Sequence, residues 1–170
     1  MSALRFAESI MRLPWEAAGS ELPHAPAAWE NKKVLISLSN KESQKDQVLI
    51  IGKTLKDLGF TLVGIQGTAD FYNANGIKCE VVNKIGGGRP DVVDLIMNKE
   101  VCLVINTPKA KRNYAEDRKT IRKVCLKYKV SYIKTLAGAV AAVKGIEAVK
   151  NGMGGEGGVR SLQEYHSLIK

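Results

Sequence analysis

Histidine is almost missing from this chain. Only His24 and His166 occur, and none lies between Lys32 and Val149. The middle of the chain therefore lacks the side chain most often used for proton transfer near neutral pH. A Ser/His/Asp or carboxylate–histidine constellation is excluded there for the same reason. Cysteine is scarce too. Cys79, Cys102 and Cys125 are odd in number and stand in no metal-ligand spacing, so no metal site is expected. Two fall in strand-like runs and one on the apolar face of a helix. They read as buried free thiols of a reducing compartment, cytoplasmic or mitochondrial matrix. No apolar run reaches the roughly 18 residues that a membrane span needs. Trp15, Trp29, Tyr114, Tyr132 and Tyr165 are not spaced as a stacking platform for single-stranded nucleic acid. Gly86-Gly87-Gly88 is not followed by the Gly-Lys-Ser/Thr of a P-loop and reads as a flexible connector.

What is present suits a globular domain. The chain has 170 residues, 45% of them hydrophobic, enough for one domain with a real core plus tails. Its net charge is +9, and the charge is concentrated. Residues 109–134 hold ten Lys or Arg against Glu116 and Asp117, a net +8. Lys109, Lys111, Arg112, Lys119, Arg122 and Lys123 form the candidate basic interaction surface. The segment reads as a solvated basic face, or as a site for a phosphate-bearing ligand, nucleic acid or an acidic protein. Nucleic-acid binding would be driven by the phosphate backbone, through Lys119, Arg122 and Lys123.

Three segments follow from composition. Residues 1–31 carry Leu4, Phe6, Ile10, Met11 and Leu13, a short amphipathic pattern that ends near Pro14, then a stretch rich in Pro, Ala, Gly and Ser. Arg5 and Arg12 would suit a mitochondrial presequence, but Glu8, Glu16, Glu21 and Glu30 do not. This extension is expected to be ordered and to dock, on its own domain or on a partner. Residues 32–150 alternate strands and helices, and residues 151–170 form a tail. Strands are expected at 34–38, 60–65, 79–82, 101–105 and 130–133. Helix faces are expected around Val48, Ile51, Leu55 and Leu58, over 69–75, after Pro90-Asp91, around Ile121, Val124, Cys125 and Tyr128, and over 135–149. Five strands alternating with helices mean a doubly wound parallel sheet, an α/β fold with helices on both faces.

Ligands of such sheets bind at the carboxyl ends of the strands. Those ends are Ser39-Asn40-Lys41, Gln66-Gly67-Thr68, Asn83-Lys84 and Asn106-Thr107-Pro108-Lys109. They offer amides, hydroxyls and ammonium groups, a set suited to holding an anion and poorly suited to chemistry on it. The stretch Ile65-Gln66-Gly67-Thr68-Ala69-Asp70 is central. Gly-Thr between a strand and a helix is either an ordinary turn and N-cap or an anion cradle at a helix N-terminus.

The order of these turns is recognisable. Gly67-Thr68-Ala69, Asn75-Gly76-Ile77, Val82-Asn83-Lys84, Gly88-Arg89-Pro90-Asp91, Val104-Ile105-Asn106-Thr107, Glu116-Asp117 and Tyr128-Lys129-Val130 resemble the C-terminal allosteric domain of the carbamoyl-phosphate synthetase large subunit, a methylglyoxal-synthase-like fold. Val159 to His166 is similar to the end of that subunit. The resemblance covers about residues 32–170 and not the large catalytic parts of this enzyme of pyrimidine and arginine biosynthesis. It implies a non-catalytic regulatory domain without a resident cofactor, binding a phosphate-bearing effector such as UMP or IMP, or acetylglutamate in urea-cycle forms. The effector contacts it implies are Lys45, Gly67, Thr68, Lys84, Asn106 and Thr107, with Asp117 nearby. Ile65 stands where many bacterial members place a small hydroxyl residue. Ile133 replaces an acidic residue that helps receive ornithine, so an ornithine response is not expected.

Enzymes of the same fold fit less well. Methylglyoxal synthase needs aspartates and a histidine. Here Ser39-Asn40-Lys41 replaces its first-strand aspartate, and Gly87-Gly88-Arg89 its Gly-Gly-Asp loop. The purine-pathway cyclohydrolase signature Lys-Thr-Leu-His-Pro is absent. The alternative to a regulatory domain is an interaction module: the fold reused as a structural subunit of a larger mitochondrial or ribonucleoprotein assembly, held through residues 1–31 and the basic segment. Met1 leans toward a short independent chain and so toward that alternative.

Overall fold

A computed structural model describes residues 32–39, 42–107 and 115–151. The expectations for the extension at 1–31, the tail and the basic residues Lys109, Lys111 and Arg112 lie outside the described residues. Five strands are present: β1 (Lys33–Leu38), β2 (Thr61–Ile65), β3 (Cys79–Val82), β4 (Val101–Thr107) and β5 (Ser131–Ile133). They alternate with α1 (Lys45–Asp57), α2 (Gln66–Ala74), α3 (Val92–Met97), α4 (Ala115–Lys127) and α5 (Leu136–Lys150). The sheet order is β3-β2-β1-β4-β5 and every pairing is parallel. The expected doubly wound α/β fold is therefore the observed one.

Alternation along the strands divides the core into two layers. Val34, Ile36, Leu62, Leu103 and Ile105 point to the face covered by α1, α2 and α5. Leu35, Val63 and Val104 point to the other face, covered by α3 and α4. Runs that are apolar on both faces, such as Val34-Leu35-Ile36 in the central strand, are what a sheet covered on both sides requires.

Four helices close in the same way before the next strand. After α1, Gly59 N–H donates to Lys56 C=O and Phe60 N–H to Leu55 C=O. After α2, α3 and α4 the same pair of bonds forms around Gly76, Lys99 and Lys129. All four pivots have positive φ. This is the Schellman closure, which satisfies the last carbonyls and turns the chain back toward the sheet. The two glycines mark it in the sequence. The two lysines do not, because a non-glycine residue in that region is unusual.

Two boundaries differ from expectation by two residues or more, and one connector differs in kind. Helix α2 begins at Gln66 rather than Ala69, so Gly67 and Thr68 lie inside its first turn. Strand β4 continues through Asn106 and Thr107, which pair with Ser37 and Leu38 of β1. The Gly86–Pro90 connector is tied rather than free. Gly87 N–H donates to Lys84 C=O at 2.9 Å, and Asn83 bridges to Asp91.

Candidate functional site

The strand order fixes where a ligand can sit. The chain winds from β1 through β2 to β3 on one side, then returns to place β4 on the other flank of β1. The crossovers diverge at the carboxyl ends of β1 and β4, leaving a crevice at this switch point. A cavity of about 250 Å³ lies there. Its polar lining comes from Ser37 and Ser39 of the β1 end, Thr68 of α2, Lys84 after β3, and Asn106 and Thr107 of β4. Its apolar wall includes Leu35, Ile65, Ile85 and Val104. Asp117, Arg118 and Ile121 close it from the start of α4.

Of the seven residues expected at an effector site, Gly67, Thr68, Lys84, Asn106, Thr107 and Asp117 line this one cavity. Lys45 is not among the lining residues. It is exposed at the first position of α1. Ile85, Arg118 and Ile121 were not anticipated, since nothing in their spacing ties them to the strand ends. The basic residues Lys119, Arg122 and Lys123 are exposed on α4, away from the lining, and Lys119 pairs with Glu116 at 2.9 Å.

The hydroxyl geometry decides what the cavity can do. Leu38 N–H donates to Thr68 Oγ1 at 3.2 Å, and Ser39 N–H donates to Thr107 Oγ1 at 3.3 Å. Each threonine oxygen thus accepts a hydrogen bond from the end of β1, and its own O–H remains able to donate one. Thr68 is not an N-cap. It is the third residue of α2, and its oxygen serves a strand 30 residues earlier. Asn106 is buried and neighbours Tyr132 of β5. Burial, then the neighbouring Cys125, pushes the Tyr132 phenol up, and the Asn106 side chain works the other way. Lys84 is exposed, and its ammonium makes no ion pair among the described residues. Hydroxyl, amide and ammonium donors around one crevice can hold an anion through charge-assisted hydrogen bonds.

The thiols are not part of this apparatus. All three cysteines are free. Burial pushes Cys79 and Cys125 up to about 12 and Cys102 up to about 11. The thiolate is the nucleophile, so each is inert at neutral pH. An aromatic disulfide reagent at pH 8 is expected to leave the native chain unlabelled and to titrate three thiols after denaturation. Rapid labelling of the native chain would contradict the burial of these side chains. No group of three His, Cys, Asp or Glu among the described residues could hold a metal ion. No helix among them is long and apolar enough to cross a membrane.

Fold and crevice together define an open-sheet α/β module with a donor-lined site at its switch point. The chain belongs to the MGS-like domain family, whose model matches residues 47–134. It is similar to the carbamoyl phosphate synthase large chain of Archaeoglobus fulgidus, 42% identical over 150 residues, covering 88% of this chain and 13% of that one. It is also 42% identical over 134 residues to the "Carbamoyl phosphate synthase large chain, C-terminal section" of Methanopyrus kandleri, covering 79% of this chain and 23% of that one. A large chain of Methanosarcina barkeri is 36% identical over 138 residues, covering 81% and 33%. The chain therefore spans a third or less of the length of these relatives.

Proposed function

We propose that this domain is a non-catalytic regulatory module that binds a phosphate-bearing effector of the nucleoside monophosphate kind, within or beside a carbamoyl-phosphate synthetase. The observation that carries this reading is the pair of threonine hydroxyls. Thr68 and Thr107 both accept from the β1 terminus and both line the cavity that Lys84 overlooks. The absence of histidine from residues 32–149 and the raised thiols support a binding role over chemistry. An effector bound here would regulate only through different affinities for two states of the assembly.

Calorimetric titration of the chain with UMP, IMP and inorganic phosphate tests this, with Lys84→Ala as control. Micromolar binding of one nucleotide, weakened about tenfold or more in Lys84→Ala, is expected. Binding no tighter than that of phosphate alone overturns the effector reading. The second reading, an interaction module, is favoured by one surface. Lys119, Arg122, Lys123 and Leu126 share a helix face at spacings of three, one and three, and Leu126 is 70% exposed.

A further inference from the structure

Lys84 stands on the loop between β3 and α3, which backbone bonds and one side chain, that of Asn83, close together. Asn83 Nδ2 donates to Pro90 C=O at 3.1 Å. Asn83 C=O accepts from Val92 N–H at 3.1 Å, and residues 83 and 91 form a parallel bridge. The far end is itself fixed. The Asp91 carboxylate accepts from Val93 N–H at 2.8 Å and Asp94 N–H at 3.1 Å. Asp94 accepts in return from Asp91 N–H at 2.9 Å and pairs with Arg89. Gly88 has φ +124°, and a Cβ there would approach Asn83 Nδ2 to 3.4 Å. A glycine is therefore what this closure accommodates.

We infer that Asn83 is a positioning residue for Lys84. Its amide completes the closure of the loop, so that Lys84 is held at the cavity before a ligand arrives. A lysine on an open loop would lose backbone as well as side-chain freedom on binding, and a closed loop has already lost the backbone part. The inference rests on the reading of the cavity as an anion site. It goes beyond it by assigning a role to a side chain that does not line the cavity.

A double-mutant cycle on the full chain tests it, with inorganic phosphate and UMP as titrants. Lys84→Ala is expected to weaken UMP binding about tenfold or more, the scale of one charge-assisted bond. Asn83→Ala is expected to weaken it about three- to tenfold, the scale of one neutral hydrogen bond. Asn83 is exposed, so the melting temperature should stay near that of the wild type. In the Lys84→Ala background, Asn83→Ala should cost nothing further. A side chain that merely stiffened the domain would weaken binding equally in both backgrounds. Wild-type affinity in Asn83→Ala, or its full effect persisting in the double variant, overturns the positioning role while leaving the anion site intact. Unchanged affinity in Lys84→Ala also overturns it, since nothing would then be positioned. If the wild-type chain binds neither titrant, the cavity reading falls and this inference falls with it.

Discussion

Replacing Gly52 by alanine is expected to destabilise the domain, although alanine is ordinarily the better helix residue. Gly52 sits in the middle of α1, where Gly→Ala on an open surface would gain about 1 kcal/mol. Here a Cβ would lie 2.4 Å from Tyr72 Cε1 and 3.0 Å from Cδ1. The ring cannot retreat easily. Tyr72 is fully buried, and its hydroxyl donates at 3.0 Å to the carbonyl of Val48, one turn earlier on the same helix. Phenol and glycine thus lock α2 against α1. Overpacking a filled core costs about 1–3 kcal/mol, and so close a contact with a pinned ring belongs at the upper end. The net expectation is a loss of about 2 kcal/mol, with Gly52→Val losing more. Urea unfolding at constant slope reads this directly. In Tyr72→Leu, which removes the ring, Gly52→Ala should become neutral or favourable. Gly52→Ala at or above wild-type stability would mean that the ring moves aside freely.

That contact shows what the sequence could and could not reveal. The element order was legible because apolar runs such as Val101–Ile105 and the three- and four-residue spacing of Val48, Ile51 and Leu55 carry their own period. The position of the candidate cavity was legible too, because the polar groups fall at strand ends and the alternating pattern implies a parallel sheet. Contacts between distant segments were not. Nothing local says that Gly52 faces Tyr72. The start of α2 was missed because its N-cap is Ile65, which has no side-chain acceptor. The polar end of β4 was missed because Asn106 and Thr107 look like loop residues. They extend the strand through pairing with β1 while their side chains serve the crevice. The Gly86–Pro90 loop reads as free from composition alone. Its closure depends on Asn83 and Asp91, residues that only the fold brings together.

Thr68→Val is expected to have the largest combined effect on ligand binding and stability of any isosteric change. Thr68 is 1% exposed, and on the proposed reading its hydroxyl has two tasks. It accepts from Leu38 N–H, and its proton is available to a ligand in the cavity. Valine keeps the shape and loses both. A buried amide without an acceptor costs about 1–3 kcal/mol, so the unliganded domain should melt several degrees lower. Losing a hydroxyl donor to a phosphate oxygen should weaken UMP binding about tenfold or more. Thermal unfolding with and without UMP separates the two losses. The first lowers the melting temperature without ligand. The second reduces the rise that ligand produces, because that rise depends on ligand concentration relative to Kd. Thr68→Ser retains acceptor and donor and should restore most of both. Thr107→Val should lose as much ligand response with a smaller stability cost, since its backbone donor, Ser39 N–H, is only partly buried. If Thr68→Val lowers the melting temperature yet binds UMP like the wild type, Thr68 only fastens α2 to β1, and the donor set reduces to Lys84, Asn106 and Thr107.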